Sequence, residues 1–443
     1  MNEKALLKEF IRYVALNICG MIGLSCYILA DTFFISKGLG ANGLTALNLA
    51  IPIYSFVHGN GLMLGMGGAA KYSIYKGQKK FKDADMVYSN TILIMIVFSV
   101  IFMAAGIFFS EKLTSMLKAD KEVFNMTKTY LQVILLFAPA FIFNDSLLCF
   151  ARNDRNPKLS MTAMLTGSLS NIILDYIFIF PLHMGIFGAV LATGLAPVIS
   201  LCILSKYWIS KKQSKTFLPK RKQSPVKQSQ PHLSKIKLIG NIISLGIPSL
   251  ITEVASGIVM IIFNSVILKL QGNIGVAAYG VIANLSLVVT SIYTGIAQGT
   301  QPLLSKCYGH GDNKSTKQIL KYAIKSMLFI SAFIYVSFLI SARPVVGLFN
   351  NEQNMQLQQI AETGLKLYFT AIPFAGFNII ISTYFAATEK ALPAQIISLA
   401  RGFIVIIPIT FLMSYLFKMT GVWLSYPFAE IIVTLLGIIF ILC

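Results

Sequence analysis

Apolar runs of bilayer length recur along the whole chain, and they constrain its folding more tightly than any other feature. Each is close to the roughly 20 residues a helix needs to cross a hydrocarbon core. Twelve are expected, over about 11–36, 45–70, 88–110, 125–150, 159–180, 186–208, 239–268, 277–304, 319–341, 357–385, 393–417 and 420–442. Composition agrees, since 56% of the 443 residues are hydrophobic and only 12% are charged, against about 25% charged in soluble domains. The expected fold class is an all-α polytopic membrane protein of twelve transmembrane helices.

The first run, after MNEKALLKEF, is too long for a signal-peptide core and lacks a small-residue cleavage site, so a retained helix is expected. Cys19, Cys26, Cys149, Cys202, Cys307 and Cys443 lie in or beside apolar runs without CxxC or ligand-like spacing. That pattern suggests neither a disulfide framework nor a zinc site.

The net charge of +20 alternates from loop to loop. One set of loops carries Lys4, Lys8 and Arg12, then Lys71 to Lys82, Arg152 to Lys158, Lys206 to Lys237, Lys306 to Lys325, and Lys390. The opposite set has only Lys37, Lys112, Lys118, Lys121, Lys269, Arg343 and Lys418. By the positive-inside rule both termini are cytoplasmic. The basic residues therefore report topology, and no nucleic-acid partner is expected.

Residues 209–238 are polar, contain Pro and Ser, and carry nine Lys or Arg. They read as a basic cytoplasmic linker that anionic lipid head groups would attract. It separates an N-terminal lobe, 1–208, from a C-terminal lobe, 239–443, with six spans each. Sliding one lobe over the other by 232 positions matches Ile35 with Ile267, Lys37 with Lys269, Gly40 with Gly272, Gly43 with Gly275, Ala46 with Ala278, Gly67 with Gly299 and Ser73 with Ser305. Pro157 then meets Pro393, and Gly188 meets Gly421. An internal duplication follows, and an even number of spans per half makes it a parallel repeat.

An ionisable group deep in a bilayer costs at least about 2.5 to 3.5 kcal/mol and marks function by default. Asp31, Asp145, Asp175, Glu253, Arg401 and Glu430 lie inside the runs. Asp31 and Asp175 each precede an outer-end marker, Lys37 and Pro181, by six residues, about 9 Å of helix. Thr193 lies roughly 12 Å down the sixth span, and Asn171 is one turn from Asp175 on the same face. Two carboxylates, an amide and a hydroxyl thus converge in depth from three spans of the N-terminal lobe. They offer hard oxygen ligands for a cation, or two carboxylates able to share one proton. Glu253, Arg401 and Glu430 form a second group, a candidate substrate or coupling site in which either carboxylate would suit the arginine. Asp145 with Asn144 reads as interfacial, and His58 as a packed histidine. The glycine-dense GNGLMLGMGGAA (59–70) lacks a GK[ST] ending and suits close helix packing. No catalytic triad, metal spacing or nucleotide fingerprint appears, so no enzymatic chemistry is expected.

Three features resemble the multidrug and toxic compound extrusion (MATE) family over essentially the whole chain: ADTFFISKGLGANGLTALNLA (30–50), GIAQGTQPLLSKCYGHGD (295–312) and the two six-span halves. The resemblance implies two pseudo-symmetric lobes forming a V, in the plasma (inner) membrane of a prokaryote, acting as a monomer. It implies efflux of amphipathic, cationic small molecules driven by inward Na+ or H+, with no cofactor beyond that ion. In prokaryotic branches with an N-lobe cation site, an Asp on the first helix, an Asn and Asp on the fifth and a Thr on the sixth form it. Those positions fall on Asp31, Asn171, Asp175 and Thr193 here. Many relatives also have a proline about fifteen residues before the first-helix Asp, where this chain has Leu16, leaving Gly20 and Gly23 as places for that helix to loosen. Glu253 resembles a helix-seven acid of another branch. The alternative is a flippase for lipid-linked oligosaccharide precursors from the same wider superfamily. It would need a cationic cavity for pyrophosphate, whereas Arg401 is the one mid-membrane cation in the runs.

Overall fold

The computed structural model describes residues 3–217, 235–350 and 353–442. Among them the protein is all-α: α1 (Glu3–Gly77), α2 (Phe81–Phe108), α3 (Ser110–Met116), α4 (Phe124–Leu136), α5 (Ala138–Asn153), α6 (Pro157–Ile179), α7 (Gly185–Phe217), α8 (Lys235–Gly309), α9 (Asn313–Gly347), α10 (Met355–Tyr368), α11 (Ile372–Ala387), α12 (Ala391–Leu399) and α13 (Ile406–Leu442). A 3-10 turn joins α10 to α11, and a π-helical turn, Ala400–Ile404, follows α12.

Several of these helices hold more than one span. Backbone breaks divide α1 at Gly40, α8 at Gly272 and α13 at Lys418. α4 and α5 form one span bent by 49°, and α10 continues into α11. Counted this way, the described residues contain the twelve spans expected from hydropathy.

The breaks repeat along the chain. Gly40 has φ 66° and ψ −157°, and Gly272 has φ 64° and ψ −156°. This conformation strains any residue with a Cβ. A Cβ at either position would meet no atom within 4 Å, so backbone geometry alone demands the glycine. Most of the other left-handed residues pair in the same way: Lys79 with Gly311, Lys118 with Gln353, Arg155 with Glu389, and Gly185 with Lys418; among the described residues His183 alone has no counterpart. The duplication read from scattered identities is thus written into every principal turn between spans.

By contacts the chain forms two compact units whose boundaries cross the sequence halves. One, the C-terminal unit, is Met1–Ser25, Pro248–Leu304 and Asp312–Cys443; the other, the N-terminal unit, is Cys26–Ile247 and Ser305–Gly311. Glycines make the crossing feasible. In the C-terminal unit the start of α1 lies so close to α8 that a Cβ on Gly299 would come 2.8 Å from Val14 Cα, and one on Gly295 2.8 Å from Ile18 Cα. In the N-terminal unit the start of α8 repeats this, with Gly67 against the Ile242 carbonyl and Gly246 against the Met63 carbonyl. The glycine run at 59–70 also admits α5 and α2, for Gly65 faces Ser146 Cα and Gly68 faces Thr91. Small residues let helix backbones approach this closely.

Two local details differ from expectation. α7 stays helical to Phe217 and α8 starts at Lys235, so both ends of the expected linker 209–238 are helix; polar Lys, Gln and Ser continue a helix nearly as well as apolar residues. The rest of that linker, 218–234, lies outside the described residues. Within α1 the one non-helical residue is Gly40, so Gly20 and Gly23 leave the first span unbroken in this conformation. Large apolar side chains such as Phe108, Phe329, Phe333, Ile340 and Tyr415 are exposed, as suits a surface that meets hydrocarbon.

Candidate cation site

Asp31 on α1, Asn171 and Asp175 on α6 and Thr193 on α7 all belong to the N-terminal unit and are all buried. On α6 the helical period decides this. Asn171 and Asp175 share a stripe with Gly167 and Ser168, while Leu169, Ile173 and Tyr176 point outward and are exposed. Gly167 brings α6 against α7, where a Cβ would lie 3.1 Å from the Ala196 carbonyl oxygen. Gly194, beside Thr193, fits against the Phe137 ring at the bend between α4 and α5.

Hydrogen bonding orients the amide of Asn171. With its nitrogen toward the carboxylate, Nδ2 donates to Asp175 Oδ2 at 3.0 Å and Oδ1 accepts from the Thr193 backbone N–H at 3.3 Å. Thr193 Oγ1 donates to the Ala189 carbonyl at 3.1 Å, and the Tyr130 phenol of α4 lies near Thr193. The carboxyl groups of Asp31 and Asp175 lie within hydrogen-bonding reach of each other. Counted as carboxylates, however, Asp31 Oδ1 and Asp175 Oδ1 are buried with no donor. A buried polar atom without a partner is costly, and two facing carboxylates repel. A proton between them, or a small cation held by these oxygens, removes both penalties. Carboxylate oxygens are the donors a hard cation prefers, and Asn171 and Thr193 sit beside them.

Tyr130 and Tyr27 belong to this site, and residue-by-residue reading of the sequence missed both. Tyr27 is one helical turn before Asp31, and its hydroxyl lies 3.0 Å from the Tyr54 hydroxyl. Its i, i+4 spacing from Asp31 was the available signal. Tyr130 is a lone phenol in an apolar run, and nothing in the sequence indicates which neighbour it faces.

Asp145 is buried within the helix packing of α5. His58 Nδ1 lies 2.8 Å from Asp145 Oδ2.

In the C-terminal unit the arginine takes one carboxylate. Arg401 Nε donates to Glu430 Oε1 at 2.6 Å, and Asn378 Nδ2 donates to Glu430 Oε2 at 2.7 Å. The guanidinium also reaches the Tyr426 hydroxyl at 3.4 Å, and Tyr426 stacks on Tyr368 with centroids 4.6 Å apart. Arg401 sits in the π-helical turn, a feature common at functional sites. Glu253, on α8, is half-buried.

A family model described as MatE matches residues 18–177 and 248–412. The multidrug export protein MepA of Staphylococcus haemolyticus (strain JCSC1435) is 28% identical over 437 residues, which span 98% of this chain and 93% of that protein. A solved structure described as the outward-facing conformation of a multidrug resistance MATE family transporter of the MOP superfamily superposes with a TM-score of 0.88. It is 21% identical, over 99% of this chain and 97% of its own. A MOP superfamily transporter from Pyrococcus furiosus, described as having a binding pocket of reverse polarity, gives a TM-score of 0.86 at 22% identity, over 99% and 97%. At such identities these structures speak to the fold alone.

Proposed function

The chain belongs to the MatE family of multidrug and toxic compound extrusion transporters, and from that premise we propose that it is a secondary active exporter of amphipathic, cationic compounds, driven by entry of Na+ or H+ through alternating access. One observation carries the reading: the buried Asp31–Asp175 pair, two of whose oxygens lack a donor, ringed by Asn171, Thr193 and Tyr130. A site that needs a cation or proton to satisfy its own oxygens is suited to load and release one. Entry of a single cation across 100 mV contributes about 2.3 kcal/mol before any chemical gradient.

Within this reading Asp31 and Asp175 carry the ion, Asn171 and Thr193 orient and share it, and Tyr130 steadies Thr193. Glu430 is neutralised by Arg401, and Glu253 on α8 is the second acid of this unit that attracts a cationic substrate. The duplicated halves 1–208 and 239–443 work as lobes of a monomer, with both termini and the basic linker on the cytoplasmic side of a prokaryotic plasma membrane.

The test is efflux of a fluorescent cation from vesicles under Na+ and H+ gradients imposed separately. Export coupled to one gradient is expected. No export of several chemically different dyes under either gradient overturns the reading and favours the flippase of lipid-linked sugars.

A further inference from the structure

We infer that His58 and Asp145 form a second proton-binding site in the N-terminal unit, joined to the Asp31–Asp175 pair through the Tyr54 and Tyr27 hydroxyls. His58 stands midway along the second segment of α1, 18 residues past Gly40 and 19 before Gly77, roughly 27 to 29 Å of helix from either end. Two pairs with i, i+4 spacing face one another there. Tyr54 and His58 project from α1, and Phe141 and Asp145 from α5. The Tyr54 ring stacks on the imidazole with centroids 5.9 Å apart and planes 4° from parallel, and Phe141 meets Tyr54 edge-on at 5.6 Å. The imidazole plane is therefore set by packing, with Nδ1 2.8 Å from Asp145 Oδ2.

Gly61 makes room for that carboxylate. A Cβ at this position would lie 2.9 Å from Asp145 Oδ2. Asn144 Nδ2 donates to the other oxygen, Oδ1, at 3.3 Å. The side chain of His58 keeps 14% exposure against 7% for Asp145.

A packed histidine alone would not call for a buried carboxylate, which is costly at this depth. Imidazole beside carboxylate, by contrast, is the pair that changes charge within the physiological range. With the proton bound it is an imidazolium–carboxylate pair without net charge; with the proton released as H+, one negative charge remains. No other reactant takes part.

The link to the first site is short. Tyr27 lies one turn from Asp31, its hydroxyl feels the charges of Asp31, Asp145 and Asp175, and in the Tyr27–Tyr54 hydrogen bond either oxygen can donate. Releasing the proton at His58–Asp145 places a negative charge that favours a cation at Asp31–Asp175, so each site answers to the occupancy of the other. The other titratable groups nearby are Tyr130 of α4, and Cys149 and Arg152 farther along α5, where Arg152 Nη2 donates to Cys149 Sγ at 3.0 Å. α2 carries its titratable residues from Lys82 to Tyr88, and α7 from Cys202 onward, toward the ends that approach Asp154.

Only the consequence for transport rests on the reading of Asp31–Asp175 as the coupling site; proton binding by His58 stands by itself. The test uses full-length protein in lipid nanodiscs with 15N-labelled histidine, the His58 resonance being assigned from the spectrum of His58→Gln. His58 is expected to change protonation between about pH 5 and 8, with a midpoint that moves in Asp145→Asn. A resonance constant across that range, or a midpoint indifferent to Asp145→Asn, overturns the proposal. In proteoliposomes His58→Gln, or His58→Asn should the first fold poorly, is expected to export a fluorescent cation with a flattened pH profile. A profile identical to that of the native protein overturns the link to transport. Absence of export by the native protein would instead sink the transporter reading and leave the titration of His58 intact.

Discussion

Arg401 Nε and Glu430 Oε1 lie 2.6 Å apart, with the carboxylate almost wholly buried and its second oxygen held by Asn378. This pair ties the π-helical turn after α12 to the last segment of α13 and α11. Breaking a buried pair by removing one partner costs about 3–5 kcal/mol, whereas replacing both by apolar groups of similar size is often neutral. Arg401→Ala is therefore expected to lower the thermal unfolding midpoint in detergent by many degrees, and Arg401→Met with Glu430→Met to recover most of the loss. A single variant as stable as the native protein would remove the structural role.

Asp31→Asn and Asp175→Asn replace one facing carboxylate with an amide that donates to the other. The orphaned oxygens gain a partner, so folding is expected to be kept or improved. Ion-driven export should fall at least about tenfold, the loss of about 1.4 kcal/mol or more of ion binding. Export under an imposed gradient, compared with thermal stability in the same preparation, decides the matter.

Tyr130→Phe removes only the phenol beside Thr193, which can hydrogen-bond it when the ion is bound. One hydrogen bond contributes about 1 kcal/mol, so half-maximal export should need about fivefold more coupling ion at an unchanged maximal rate. An unchanged ion dependence would exclude Tyr130 from the site.

Gly40→Ala and Gly67→Ala separate two uses of glycine. At Gly40 a methyl meets open space, and the positive-φ, extended-ψ backbone alone costs about 1–3 kcal/mol, so a modest loss of stability is expected. At Gly67 the methyl meets the Ile242 carbonyl and the backbone N of Gly246, so the helices must move apart and folded yield should drop sharply. Equal effects on monodisperse yield would contradict this packing.

Much of the fold was legible because hydropathy and glycine placement act within one segment at a time. Gly40 and Gly272 were matched as letters, and each alone demands a break in its helix. The depths of Asp31, Asn171, Asp175 and Thr193 followed from residue counting along separate helices. Partner choice was not legible in this way. Glu253 and Glu430 were equal claimants for Arg401, Asp145 gave no sign of His58, and Tyr130 gave no sign of Thr193.

The sequence by itself determined the span count, the duplication and the level of each polar group along its helix, since bilayer thickness, φ sterics and helical rise are properties of a single segment. Only the tertiary structure decided which faces meet: that Glu430 takes the arginine, that His58 finds Asp145, and that the first 25 residues pack with the C-terminal unit. Rotation of one helix against another is set by close packing between residues far apart in the chain, here by glycines that admit a neighbour's backbone, and no local pattern encodes that choice.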